Sequence, residues 1–391
     1  MCGIVGYIGN QQACPILLDG MSKLEYRGYD SAGIAVYDGK RIDIEKCVGR
    51  LQALRIKIQG HEPQGTVGIG HTRWATHGRP SDRNAHPHCD ESGRFVVVHN
   101  GIIENYLELK EYLLEKGHRF SSDTDTEVVA HLMADQYDGD FLSTVKKVIR
   151  RIDGSYSLVF LCADEPDKLI TTKKDNPLVI GLGEGENFIA SDIPAIIGHT
   201  RRTYIMSDGE IAIVTKDAVR VEDLNGNPIN KKVYNVTWNA EAAEKGGFEH
   251  FMLKEIYEQP KAVRETMRGR LGKEEGTIDF PELNWTKADL RGIKKVFIVA
   301  CGTAYHAGLV GKYYLEKFAR IPVETDIASE FRYRDPLVDS SCLMIVISQS
   351  GETSDTLAAL REAKRLGART MAVTNVVGSS IAREADQVVY T

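Results

Sequence analysis

Met1-Cys2-Gly3-Ile4-Val5-Gly6-Tyr7-Ile8-Gly9 opens the chain, and its reading decides the fold class of the whole first half. Cys2 comes directly after the initiator methionine. Removal of Met1 would leave one residue carrying both a thiol and the α-amine of the chain. An unperturbed α-amine has a pKa of about 7.7–8.0 and a cysteine thiol about 8.5. A nucleophile and a partly neutral base would then share one backbone unit. That is the logic of the N-terminal nucleophile, in which the amine takes the place of a histidine. A cysteine at a frayed terminus is the ordinary alternative. Ile4, Val5, Tyr7 and Ile8 are strand formers, and a buried first strand would hold Cys2 in place.

The bulk of the chain narrows the class. At 391 residues it exceeds one ordinary core, so two or three domains are expected. Hydrophobic residues make up 42% and charged residues 27%, the composition of a soluble globular protein. A net charge of −6 argues against a general nucleic-acid surface, and no apolar run is long enough to span a membrane. The N-terminus lacks the pattern of a secretory signal. Seven cysteines, at positions 2, 14, 47, 89, 162, 301 and 342, form no CxxC pair. They read as reduced thiols of a cytoplasmic protein. His86-Pro87-His88-Cys89 is the nearest approach to zinc-like spacing and lacks a second cluster, so no metal is expected.

After the first strand, a helix is expected from Pro15 to Leu24, followed by a loop over Glu25–Gly33 that holds Arg27 and Asp30. Ala32–Tyr37 and Arg41–Cys47 alternate around Asp38-Gly39, a hairpin pattern. A strand over Thr66–Gly70 leads into the octet His71-Thr72-Arg73-Trp74-Ala75-Thr76-His77-Gly78, read as a polar loop. Arginine, threonine and backbone donors there suit a carboxylate. A surface loop with a salt bridge, and a simply packed Trp74, are the plain readings. Phe95–His99 is a buried strand running into Asn100-Gly101, a dipeptide that ordinarily marks a turn. It can also aim a side-chain amide and a glycine N–H at one point, as an oxyanion requires. Helices are expected over Asn105–Lys116 and Thr126–Tyr137. Before the second, Asp123 or Asp125 suits a helix cap or, alternatively, a ligand ammonium group. Short strands from Ser155 to about Val221 complete a two-sheet sandwich bearing helices, and a linker is placed at Ala240–Gly247.

Beyond the linker the period changes. A helix over Lys254–Arg270 precedes an apolar strand, Val296–Ala300, which ends in Cys301-Gly302-Thr303-Ala304 before a helix from about Tyr305 to Phe318. Leu343–Ile347 repeats the pattern, ending in Ser348-Gln349-Ser350-Gly351-Glu352-Thr353-Ser354 before a helix to about Leu366. Met371–Thr374 and Val388–Tyr390 are further strands. Alternating strand and helix means a parallel sheet covered on both faces, with ligands at the carboxyl ends of its strands. Two hydroxyl- and glycine-rich loops at helix N-termini point to an anion, although each alone reads as a helix cap. Neither is a nucleotide-binding motif, and no cofactor is implied.

Taken together, Cys2–Gly6, Glu25–Gly33, His71–Gly78, His99–Asn105, the Ser122–Val128 run, Lys254–Pro260, Ser329–Arg334 and Ser348–Thr353 resemble the glutamine–fructose-6-phosphate aminotransferases (isomerising), or glucosamine-6-phosphate synthases, along the whole chain. The resemblance implies an α+β and α/β protein. Residues 1–240 would form an N-terminal-nucleophile αββα sandwich, the type-2 glutaminase domain. Residues 241–250 would be a linker, and 251–391 a first sugar-isomerase (SIS) domain with a doubly wound parallel sheet. It further implies that Cys2 attacks the side-chain amide of L-glutamine, with Asn100 and Gly101 as the oxyanion hole. Arg73, Thr76, His77 and Asp125 would hold the α-carboxylate and α-amine, and Trp74 would gate ammonia passage. His86 lies in the region completing this pocket and receives no catalytic step. Thr303, Ser348, Gln349, Ser350 and Thr353 would bind the phosphate of fructose 6-phosphate, yielding glucosamine 6-phosphate and glutamate. Ala304 stands where many members carry a hydroxyl.

The family has a second SIS lobe with the isomerase residues beyond the position of Thr391, so the sequence reads as a fragment that hydrolyses glutamine without completing the sugar step. Pairing of SIS domains implies a homodimer for the whole enzyme. Two other readings compete: a phosphoribosyl-pyrophosphate amidotransferase, which shares the first half, and a sugar-phosphate-binding regulatory module with an idle glutaminase. The SQSGET run at 348–353 speaks against the first, and the set Cys2, Arg73, Asn100 and Asp125 against the second.

Overall fold

The computed structural model describes residues 2–236, 248, 250–271 and 276–391. The chain divides into two compact units, Met1–Gly246 and Gly247–Thr391. The expected linker at Ala240–Gly247 lies outside the described residues. No helix among the described residues is long and apolar enough to cross a membrane.

The first unit is built on two antiparallel sheets. One runs, in spatial order, Tyr234–Asn235, Arg202–Ile205, Val179–Leu182, Asn187–Ala190, Gly3–Ile8, Val67–Arg73, Ser31–Tyr37 and Ile42–Val48. The other runs Val219–Asp223, Glu210–Val214, Leu169–Lys174, Gly154–Cys162, Phe95–Ile103 and His88–Cys89. Successive strand residues point to opposite faces, and that alternation sorts the apolar side chains into layers. Ile4 and Ile8 face inward with Ile69, Val96, Val98 and Val159, forming the core between the sheets. Val5 and Tyr7 face outward onto the helices Ala13–Leu24 and Leu51–Ile58. Phe95 and Val97 face outward from the second sheet onto Tyr106–Glu115, Glu127–Gln136 and Phe141–Ile149. Helices therefore cover both outer faces, giving an αββα sandwich.

Two expected loops prove to be strand. Val67–Arg73 continues through the first three residues of the octet, because Gly3 pairs with Thr72 on one side and Ser31 with Arg73 on the other. Phe95–Ile103 carries Asn100-Gly101 inside it rather than at a turn, with Asn100 opposite Ser157 and Gly101 opposite Tyr156. The expected cap on Glu127–Gln136 is also absent. Thr126 occupies the N-cap without a side-chain capping hydrogen bond, and Asp125 turns instead to accept the Ile103 N–H at 2.8 Å.

The second unit carries a five-stranded parallel sheet in the order Val323–Ile327, Lys295–Ala300, Cys342–Ser348, Arg369–Thr374, Gln387–Tyr390. Phe297, Val299, Met344 and Val346 pack on one face against Phe331, Leu357, Leu360 and Ile381. Val296, Ile298, Leu343 and Ile345 pack on the other with Ile293, Leu315 and Ile321. Strand order across the sheet reverses between Lys295–Ala300 and Cys342–Ser348, the point at which such sheets open a crevice. The edge strand Val323–Ile327 went unpredicted. Its polar Glu324 and Asp326 interrupt the apolar run that marks its neighbours.

Candidate active site

Cys2 stands at the head of the central strand, which is pinned on its far side by Ser191: Ile4 N donates to Ser191 Oγ at 3.0 Å, and Ser191 N to Ile4 O at 3.0 Å. The half-buried Sγ accepts from the Trp74 N–H at 3.2 Å and lies 3.5 Å from the Trp74 carbonyl. Burial pushes the thiol pKa up, opposed by the Trp74 N–H and by the charge of Arg73. A thiol held protonated needs a base before it can attack.

Cys2 borders a cavity of about 240 Å³ whose wall includes Arg27, Arg73, Asn100, Gly101 and Asp125. Trp74, Thr76, His86, His99, Ser155 and Asn176 also line it. Asn100 sits in the strand facing Cys2, and its Nδ2 donates to Cys2 O at 3.0 Å. Gly101 has φ +128°, and a Cβ there would stand 2.0 Å from Ser155 O. Only glycine permits the strand to carry the Asn100 side chain past that carbonyl.

Charge is distributed unevenly around the cavity. Arg73 is buried, with Nη2 donating to Gly78 O at 2.9 Å and to His77 O, while Nη1 lacks a partner among the described residues. Arg27 is tied to Asp192 at 3.0 Å and to Ser191 O at 3.2 Å. Asp125 supplies the carboxylate. Its loop is held by Glu127, which accepts from Ser121 N and Ser122 N at 2.7 Å each and from both hydroxyls. A buried guanidinium and a buried carboxylate on one small cavity suit the two charged ends of an amino acid.

Two candidate residues, His77 and Asp123, are absent from the cavity lining, and Trp74 borders it with an exposed ring. The His77 ring packs edge-on to Tyr106, 5.4 Å between centroids, and only its carbonyl meets Arg73. The Trp74 ring is 47% exposed and stands edge-on to Tyr29 at 5.3 Å. Asp123 pairs with Arg83 and accepts from Asn84 Nδ2 at 3.2 Å, away from the cavity. Sequence reasoning missed the roles of His71, His99 and Asn176 in and behind the wall. The only local signal is that His71 and His99 occupy strand positions where an apolar residue would serve packing equally well. The set His86, His88 and Cys89, weighed as a metal site, belongs to no metal-holding group among the described residues.

In the second unit, both anion-loop candidates emerge from adjacent strands at the switch point. Ser348 is buried, its Oγ 2.9 Å from Thr353 Oγ1 and accepting from Gly351 N at 3.1 Å. Ser350 Oγ accepts from Glu352 N at 3.2 Å. Gly351, at φ +65°, lets the loop fold against Ser379. Gln349 is exposed directly after its strand, ahead of the helix Ser354–Arg365. Thr303 is exposed in the first turn of the helix Gly302–Tyr314, which begins earlier than the expected Tyr305. Those helix N-termini direct N–H groups toward the crevice.

The glutamine amidotransferase domain signature matches residues 71–198, and the SIS domain signature matches 289–391. A glutamine–fructose-6-phosphate aminotransferase (isomerizing) of Caldanaerobacter subterraneus subsp. tengcongensis is 60% identical over 391 residues, covering 100% of this chain and 64% of the relative. Those of Clostridium tetani and Aquifex aeolicus are 59% and 51% identical, with the same coverage. Along its whole length the chain is similar to glutamine–fructose-6-phosphate aminotransferases. It spans 64% of the length of these curated relatives. In three dimensions it is similar in fold to a phosphoribosylpyrophosphate amidotransferase of B. subtilis (TM-score 0.53, 18% identity, 100% of this chain and 90% of that one). A second solved structure, the allosteric regulatory enzyme of purine biosynthesis, gives TM-score 0.54 at 19% identity, covering 100% of this chain and 89% of that one. The SIS signature falls within the second unit, which disfavours the phosphoribosyl-pyrophosphate reading for this chain.

Proposed function

We propose that this chain is a glutamine amidotransferase in which Cys2 hydrolyses L-glutamine and the second unit binds fructose 6-phosphate, the acceptor of the ammonia. One observation carries the reading: Cys2 Sγ, the Asn100 amide, Gly101, Arg73 and Asp125 converge on a single amino-acid-sized cavity. Once Met1 is removed, the α-amine of Cys2 takes the thiol proton as sulfur attacks the glutamine amide carbon. The carbonyl π bond opens to an oxyanion, met by Asn100 Nδ2 and the Gly101 N–H. The ammonium passes its proton to the leaving nitrogen, and ammonia departs. A γ-glutamyl thioester remains; water adds to it, and glutamate leaves as the thiol is restored.

Arg73 and Thr76 bind the α-carboxylate and Asp125 the α-ammonium. His77 contributes through its carbonyl, which helps fix the Arg73 guanidinium. Trp74, exposed beside the nucleophile, is suited to gate ammonia. The loops at Thr303 and Ser348–Thr353 bind the sugar phosphate through hydroxyls and helix N–H groups. All seven cysteines are free thiols, which supports a cytoplasmic protein. A homodimer through SIS units would cover Tyr313 and Phe318, each 72% exposed. Cys2→Ala is expected to abolish glutamine hydrolysis while leaving the melting temperature within a few degrees. Unreduced turnover would exclude Cys2 as nucleophile. Ser350→Ala is expected to weaken fructose 6-phosphate binding about tenfold by calorimetry, the loss of one charge-assisted hydrogen bond. Unaltered affinity would move the phosphate off that loop.

A further inference from the structure

In and behind the cavity wall lies a layer of four buried imidazoles, His71, His86, His88 and His99, none more than 5% exposed. His71 Nε2 is 3.0 Å from Asn100 Oδ1 and 3.0 Å from His99 O. Both partners are acceptors, so Nε2 carries a hydrogen shared between them. His71 Nδ1 has no partner among the described residues. The ring is fixed by stacking on His86, 4.2 Å between centroids and 19° from parallel. At the other end of the same amide, Asn100 Nδ2 donates to Cys2 O at 3.0 Å.

An amide has one acceptor end and one donor end, so holding the oxygen fixes where the N–H₂ points. Turning the Asn100 amide over would set its N–H₂ against the His71 N–H, two donors face to face in a dry interior. We propose that His71, as the neutral Nε2–H tautomer, is a positioning residue that locks the Asn100 amide with its donor end turned to the nucleophile, where the oxyanion forms. This rests on the reading of Cys2 as the nucleophile. The Cys2 sulfur bonds Trp74, not His71, among the described residues, and His71 transfers no proton in this arrangement. Burial holds its pKa down at about 3, so the tautomer persists over the pH range in which a thiol can be activated. An apolar side chain would fill the same space and leave the amide free to turn, which is the reason for a polar ring at this strand position.

The test compares His71→Met, which has no donor, with His71→Gln, whose amide N–H reaches about as far as Nε2. Glutamine turnover is measured alongside the affinity of the γ-aldehyde analogue of glutamine. Cys2 adds to that aldehyde: the S–C bond forms, the C=O π bond breaks, and the thiol proton goes to the oxygen, which occupies the oxyanion position. His71→Met is expected to lower kcat about 10²-fold with KM changed less than threefold. Aldehyde affinity should fall by a similar factor, and iodoacetamide should alkylate Cys2 at the unmodified rate. His71→Gln should recover at least tenfold in kcat. A folded His71→Met chain with unmodified kcat overturns the proposal, as does a Gln variant no better than Met. Parallel loss of Cys2 alkylation overturns it too, by placing the effect on the thiol. His71→Leu is a second donor-free variant if Met at this position does not fold. No turnover in the unmodified chain would instead overturn the glutaminase reading itself, and this inference with it.

Discussion

Asp125 shows how one carboxylate divides its work. Oδ2 accepts the Ile103 N–H at 2.8 Å and so fixes the loop to the strand that carries Asn100. Among the described residues Oδ1 has only the Thr126 hydroxyl, at 3.4 Å, and is left to meet a ligand. Asp125→Asn keeps an acceptor for Ile103 and removes the charge. Its KM for glutamine is expected to rise roughly 10- to 100-fold, the worth of a hydrogen bond to a charged group, with kcat changed much less. A KM within twofold of the unmodified chain would take the α-ammonium away from Asp125. The Arg73 guanidinium is prepared in a comparable way: two carbonyls of its own loop orient one nitrogen, leaving Nη1 buried without a partner among the described residues. Cys2 needs no histidine in this account, and none of the four buried imidazoles bonds its sulfur.

At the scale of elements, the site is made by strands passing one another rather than by loops. Gly3–Ile8 brings Cys2 beside the end of Val67–Arg73, and Phe95–Ile103 brings Asn100 across from it. Gly101 is the point of closest approach, and a side chain there meets both a left-handed φ and the Ser155 carbonyl. Gly101→Ala is expected to cost at least about 1–3 kcal/mol from the backbone conformation alone, read by urea denaturation, together with most of the glutaminase activity. An active Gly101→Ala chain of full stability would show that the strand does not depend on this residue. The apolar runs Ile4–Ile8, Phe95–Val98, Val296–Ala300 and Leu343–Ile347 announced their strands, because burial on a sheet face leaves a period that local sequence records. Asn100-Gly101 did not: a dipeptide that favours turns is held extended by nine residue pairs along the Gly154–Cys162 strand. Short strands such as His88–Cys89, Arg202–Ile205 and Tyr234–Asn235 are defined by what they pair with, a signal no local window contains. The residues of the cavity were legible as chemical types. Their convergence, and the exclusion of the His77 ring, were not, since both depend on how distant strands register.

Across the molecule, the buried imidazole layer ties stability to pH. Burial lowers the pKa of His71, His86, His88 and His99 below the ordinary value, so the folded chain holds them neutral. Below about pH 6.5 the unfolded chain takes up protons that the folded chain refuses. Their contribution to stability is therefore complete above that pH and is lost as pH falls toward the folded values. Each such group removes up to about 1.4 kcal/mol per pH unit within the window. The melting temperature of the first unit is expected to fall steeply between pH 6.5 and 5, before most carboxylates titrate. A flat profile over that interval would mean that these rings are not buried neutral.

The central claim is that the thiol of Cys2, freed at the head of the chain, attacks the side-chain amide of glutamine. Incubation with a diazoketone analogue of glutamine, followed by peptide mass spectrometry, tests it most directly. The account predicts one covalent adduct per chain, on Cys2 of a polypeptide that begins at Cys2, with glutamine protecting against it. Labelling of any of the other six cysteines, or labelling of Cys2 with Met1 still attached, would contradict it.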